Sequence, residues 1–346
     1  GGECRHHSPV ASSDGRCAVL HRAPRYGPEA LLTQLDGVIR AECCLSRKFM
    51  TVKIVTLTPR QYHRLTQIAL WLLALIVVSG AAVRLSGSGL GCSDWPNCEP
   101  GQLIPEANFH AWVEFGNRLI TGLVSIAVVL AVLGSARRVP NFTRLTKWSW
   151  GLVAGVAAQI ILGAFTVLSH LSPPIVMSHF LLSMVLVWNS VVLEDIARPD
   201  KSNRNDSLIG RGLRYHAQAV GVAAVAVILT GTVVTASGPH GGDENIVRLG
   251  FSFPYVAKIH GSAVVLLVLL TLSLVVKARE LEKSLFKRRV SIALGVTLGQ
   301  AAIGYTQYFT KLPVLLVGCH IAGATLLWIA IIRLLLASSS RPTEGV

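Results

Sequence analysis

The sequence predicts an all-α polytopic membrane protein: eight transmembrane helices arranged as two parallel, pseudo-symmetric four-helix bundles. Three observations predict it. The 346-residue chain is 51% hydrophobic and 14% charged, with a mean hydropathy of +0.54, a composition suited to lipid as the solvent. Its charges are clustered, leaving long runs free of Asp, Glu, Lys and Arg. Finally, Gln159-x3-Gly163-x15-His179 recurs residue for residue as Gln300-x3-Gly304-x15-His320, 141 positions later. A second match, Gly80-Ala-Ala-Val83-Arg-Leu-Ser86-Gly87 with Gly231-Thr-Val-Val234-Thr-Ala-Ser237-Gly238, keeps the same order and supports a duplication.

The uncharged runs give the elements in turn. Leu65–Val83 and Leu119–Ala136 are the first two spans. Trp148–Leu193 is long enough for two, because a helix crosses the bilayer in roughly 20 residues. It is expected to break near His170-Leu-Ser-Pro173-Pro174, where a proline pair suits a loop better than a helix interior. Tyr215–Gly242, Ile259–Val276, Val290–Thr310 and Leu312–Ile332 complete the eight.

The basic residues set the orientation. From Met50 onward, the first tail, the alternate loops and the C-terminal end together hold twenty Lys and Arg, from Lys53 and Arg60 to Arg333 and Arg341. The opposite loops hold Arg84, Arg248, Lys258 and Lys311. Both termini are therefore expected in the cytoplasm. The net charge of +14 reads as topology and attraction to anionic lipid, not as nucleic-acid binding, since no nucleic-acid motif accompanies it.

Residues 1–49 carry four cysteines and three histidines without metal-site spacing and without the apolar core of a signal peptide. They read as a disordered or non-native extension ahead of Met50. The domain plan is then residues 50–197 for the first four-helix repeat, 198–214 for a cytoplasmic linker, 215–337 for the second repeat and 338–346 for a tail.

An even number of helices per repeat gives both copies the same orientation. His179 follows Pro174 by five residues, His260 follows Pro254 by six, and His320 follows Pro313 by seven. Three histidines thus share one depth near the outer ends of their helices. A single histidine in a span is more often a helix-to-helix hydrogen bond than a ligand. Three at one depth in repeated helices favour haem iron held between imidazoles, with His260 and His320 as the complete pair. Copper or zinc is disfavoured because no third and fourth ligands show tetrahedral spacing.

The first repeat is less regular. The alignment places Asn117 where the second copy has His260, and His110, Glu114 and Asn117 fall at i, i+4 and i+7 on one helix face. Either His110 supplies the missing ligand nearer the outer surface, or the iron is bound by His179 alone. Glu114, an acid within a span, is a salt-bridge partner of Arg118 or a base able to take a proton beside a haem edge. Cys92 and Cys98, five residues between them on the outer side, suit a disulfide. Both a loop staple and a redox role remain open. Cys319 reads as a packed small residue.

Together, Gly-Ser-Gly-Leu-Gly91-Cys92-x2-Trp95-Pro96-x-Cys98, Glu114-Phe-Gly-Asn117-Arg118 and His179, His260 and His320 on a duplicated eight-span layout resemble the haem A synthase family over about residues 60–337. The resemblance implies an oxidoreductase that converts the C8 methyl of haem O to the formyl group of haem A by successive hydroxylations with water-derived oxygen. It implies haem b on His260 and His320, and substrate haem O near His179, with His110 as substitute ligand and Glu114 catalytic. It also implies residence in a bacterial plasma membrane, with a haem O synthase and terminal oxidase assembly factors as partners; an oligomer is left open. The family's second helix commonly shows Glu-x-x-His-Arg, and this chain departs from it at Asn117. The rival class is a membrane cytochrome b that only passes electrons. It fits the histidine pairs but has no use for Glu114 or the outer cysteines. A transporter with parallel repeats is a third reading, and it predicts helices broken at mid-depth, near Gly163 and Gly304.

Overall fold

The computed structural model describes residues 56–199, 209–243, 246–281 and 284–339. The expected extension at 1–49 lies outside them. The described residues form eight helices: α1 (Pro59–Leu85), α2 (Phe109–Arg137), α3 (Thr143–Leu168), α4 (Pro173–Ala197), α5 (Arg211–Ser237), α6 (Phe253–Ala278), α7 (Leu285–Phe309) and α8 (Val314–Ser338). Seven are long and apolar enough to cross a membrane. The exception, α7, has the same length as α8 but carries Gln300, Gln307 and several Thr and Gly, which lower its hydropathy.

Local chemistry explains the boundaries. At α1, Thr58 and Gln61 form a reciprocal capping box, the Thr58 hydroxyl accepting from the Gln61 amide and the Gln61 side chain accepting from the Thr58 amide, with Pro59 as first residue. Asn108 caps α2 by accepting from His110 N at 2.9 Å. This starts α2 ten residues before the charge-free run at Leu119 and brings His110, Glu114 and Arg118 onto the helix. Pro173 and Pro174, expected in a loop, are the first two residues of α4, because the first turn needs no donor from its backbone. The break itself is the turn before them, where His170 and Leu171 adopt φ of 49° and 58°. The same turn recurs at Lys311 and Leu312, with φ of 61° and 60°. Leu171 N donates to Thr166 O in the first, and Leu312 N to Gln307 O in the second. Every position corresponds at the 141-residue offset of the sequence repeat. Both α3 and α7 run unbroken through Gly163 and Gly304, against the transporter expectation.

Each group of four helices closes on itself. In the first, α1 packs on α2 and α4, and α3 packs on the same two; in the second, α5 packs on α6 and α8, and α7 packs on the same two. Tyr62, Leu73, Val128, Leu145, Leu152 and Leu193 build the first core, and Val220, Leu267, Leu274, Val290 and Ile331 the second. A third cluster joins α1, α4 and α8 through Leu70, Val77, Val187, Val191 and Ile332, and Trp328 Nε1 donates to Met184 O at 2.9 Å across this seam. At the outer ends Arg84 donates to His240 O and Thr235 O, both at 2.7 Å. Large apolar side chains such as Trp71, Leu123, Ile126, Ile161, Leu266 and Leu269 are exposed around the outside, the surface a bundle presents to lipid.

Without a hydrophobic drive between helices in lipid, close backbone approach at small residues carries more of the association. A Cβ on Gly155 of α3 would lie 2.3 Å from Leu186 Cδ2 of α4. Gly155→Ala is expected to cost about 1–3 kcal/mol through overpacking, read as a lowered thermal midpoint in detergent. Gly212→Ala, where the new methyl meets nothing within 4 Å, leaves that midpoint unchanged or raised.

Candidate functional site

In the second group of helices, His260 of α6 and His320 of α8 face each other with ring centroids 6.4 Å apart and planes at 86°. Two imidazoles that each place a nitrogen about 2 Å from one metal on the line between them have nearly this separation. Glycines make the room. A Cβ on Gly231 of α5 would lie 3.2 Å from His260 Cε1, and one on Gly304 of α7 would lie 3.1 Å from His320 Cε1. Thr230 donates its hydroxyl to Ala226 O at 2.8 Å, and its oxygen meets His260 Nδ1 at 3.1 Å. With the Thr230 hydroxyl turned to Ala226 O, a proton on Nδ1 would leave the lone pair of Nε2 for a metal. His320 Nδ1 is buried with no hydrogen-bond partner. The pair fits an iron held between two imidazoles.

In the first group, Gly163 of α3 stands against His179 of α4, a Cβ there falling 3.4 Å from Cε1. Gln159 Nε2 donates to His179 O at 3.0 Å and to Ser183 Oγ at 2.5 Å. His179 Nδ1, like that of His320, is buried without a partner. Across the bundle, Asn117 of α2 accepts at Oδ1 from Ser79 of α1 at 2.8 Å.

The loop between α1 and α2 clamps onto the first turns of α2. Cys92 and Cys98 are joined, with Cα atoms 4.4 Å apart. Glu114, 6% exposed, accepts from Cys92 N at 2.9 Å through Oε2 and from Arg118 Nη2 at 2.7 Å through Oε1. Arg118 also donates to Asp94 O, Pro96 O and Asn97 O. A Cβ on Gly91 would lie 2.2 Å from His110 O, so only glycine fits there. His110 is exposed, and its Nδ1 meets Ser88 Oγ at 2.9 Å. The structure therefore brings Glu114, Arg118, the disulfide and His110 together at one end of α2, and Asn117 nearly two turns deeper than His110. Cys319, expected to be packed, is exposed. It precedes the inward-facing His320, and one residue rotates a helix by about 100°.

One cluster escaped sequence reading. Glu194 of α4, 0% exposed, pairs with His63 of α1 at 2.9 Å, with Arg198 at 3.0 Å and with Arg333 of α8 at 3.5 Å. Arg198 at i+4 was visible in the sequence, but partners 131 and 139 positions away were not.

These features define a class: a multi-helix membrane protein with histidines on interior helix faces, two of them in ring contact, and a disulfide-braced loop over a buried carboxylate. Residues 63–110 and 104–239, just over half of the chain, match the cytochrome oxidase assembly protein family (COX15-CtaA), and the chain belongs to that family. It is 33% identical over 167 residues to a protein named "Heme A synthase" from Lysinibacillus sphaericus, covering 46% of this chain and 53% of that relative. It is 27% identical over 261 residues to the protein of the same name from Shouchella clausii, covering 70% of this chain and 85% of the relative. With the Oceanobacillus iheyensis protein of that name it shares 33% identity over 109 residues, 35% of that relative's length.

Glu194→Gln leaves Arg198 and Arg333 side by side without their countercharge. Breaking a buried pair costs about 3–5 kcal/mol, so the variant should show a lowered thermal midpoint and reduced yield of folded protein. An unchanged midpoint would mean that the cluster adds nothing to the seam between α1, α4 and α8.

Proposed function

We propose that the protein is a haem A synthase, oxidising the C8 methyl of haem O to the formyl group of haem A by two successive hydroxylations with oxygen from water. The observation that carries the proposal is the facing pair His260 and His320, 6.4 Å apart, in a chain of this family. They would hold a resident haem b, which would supply electron transfer. His179 takes the iron of the substrate haem O, and His110 lines the outer edge of the same pocket. Glu114 is the proton acceptor, and its two hydrogen bonds, to Cys92 N and Arg118, aim it and fix its orientation. The Cys92–Cys98 loop then acts at least as the brace of that carboxylate.

The architecture we propose is eight spans in two parallel repeats, supported by the turn repeated at His170–Leu171 and Lys311–Leu312 and by the matching packing within each group. Lys and Arg cluster at one set of ends, which supports a bacterial plasma membrane location with both termini cytoplasmic. A haem O synthase upstream and oxidase assembly factors downstream follow from the same reading. The cytochrome b reading gains from the completeness of the His260–His320 pair, but it leaves the brace around Glu114 without a use.

His260→Ala and His320→Ala should each remove the low-spin haem b signal, since each would supply one of the two imidazoles that hold it. Retention of the full spectrum in both variants would sink the assignment. Glu114→Gln should keep haem b, bind haem O and make about 10²- to 10⁴-fold less haem A, the range that a positioned base contributes. Because glutamine turns an NH2 toward one of two donors, its thermal midpoint must be measured beside its product. Normal haem A from Glu114→Gln would leave the carboxylate as a structural partner of Arg118 alone.

A further inference from the structure

At four corresponding interior positions the two groups of helices share a glycine and a histidine, place a hydroxyl at a third as Ser79 and Thr230, and differ in kind at the fourth. Thr230, beside Gly231, meets His260 Nδ1 at 3.1 Å. Ser79, beside Gly80, donates to Asn117 Oδ1 at 2.8 Å. The repeat aligns Ser79–Gly80 with Thr230–Gly231, so the contact on the next helix is the same contact, with Asn117 in the place of His260. Opposite them, His179 and His320 are aligned as well, each against a glycine and each with a partnerless Nδ1. The frames also match, since α2 and α4 are both flanked by α1 and α3, as α6 and α8 are by α5 and α7. Asn117, His179, His260 and His320 are all half-buried, as residues lining an interior space would be.

We infer that iron in the first group of helices takes one protein ligand, His179, and that its opposite axial position is open to a small exogenous ligand such as water or hydroxide beneath the carboxamide of Asn117. This rests on haem occupying that group as proposed above. A carboxamide nitrogen has no lone pair to offer iron, and the oxygen of Asn117 is already the acceptor for Ser79. Its Nδ2 remains a donor and meets no protein acceptor among the described residues. A donor facing an axial position steadies an oxygen-bearing ligand there. His110 does not fill the gap: Ser88 holds its Nδ1, and seven residues separate it from Asn117, about 10 Å along the axis. One group of helices thus closes both faces of its iron and the other leaves one face reactive.

The test uses the purified full-length protein carrying both haems, with electron paramagnetic resonance of the ferric state and carbon monoxide titration of the reduced state. One haem should be high-spin and bind carbon monoxide, and the other low-spin and inert. His179→Ala should remove the reactive haem and spare the inert one. Asn117→His should make the reactive haem low-spin and abolish carbon monoxide binding. Asn117→Ala should keep a reactive haem whose carbon monoxide leaves several-fold faster, which preserves the test should the histidine variant misfold. Two low-spin, inert haems in the wild-type protein would overturn the inference, as would carbon monoxide binding that appears only in His110→Ala. A wild-type protein that takes up a single haem, even when haem O is supplied, would instead overturn the proposed function and the inference with it.

Discussion

Each interior histidine lies against a glycine of the preceding helix: His179 against Gly163, His260 against Gly231 and His320 against Gly304. An imidazole within an apolar bundle is costly unless it is hydrogen-bonded or ligated. A methyl at Gly231 or Gly304 would sit tightly against its ring, at 3.2 and 3.1 Å, and one at Gly163 would just touch the ring of His179 at 3.4 Å. The glycines leave room for the rings; Thr230 meets the ring of His260, while the Nδ1 atoms of His179 and His320 are buried without a protein partner.

The first group of helices departs from the second in ways that suit a different task. It has the disulfide, the buried carboxylate and the guanidinium that draws three loop carbonyls onto α2. At the other end of the molecule, Glu194 binds His63, Arg198 and Arg333 where α1, α4 and α8 converge. One half is braced at the start of α2 around a buried carboxylate, and the seam between the halves is pinned by Arg84 at that end and by the Glu194 cluster at the other.

The repeat, the eight helices and the histidine pair were legible because each is written in local pattern: uncharged runs, an exact recurrence, and distances from a proline. The start of α2 was less legible, since Arg118 and Glu114 interrupt the uncharged run and only the Asn108 cap marks the true boundary. Pro173 and Pro174 were read as a loop because their tolerance in a first turn depends on the residue before them. Gly163 and Gly304 were visible as part of the repeat, but their contact with a histidine of the next helix was not, because it depends on how the helices pack. The roles of Glu114 and Arg118 as neighbours could be read at i+4, but the third partner, Cys92 N, comes from a loop whose path no spacing rule gives. The Glu194 cluster was hidden for the same reason, its partners being far apart in the chain.

On the proposed function, this bundle holds one haem as cofactor and processes another as substrate. Acid extraction of the purified wild-type protein, with the haems separated by chromatography, distinguishes this from simple electron transfer. Haem b should appear together with haem O and haem A in one preparation. Haem b alone would leave an electron carrier, and a protein without any haem would remove the basis for both.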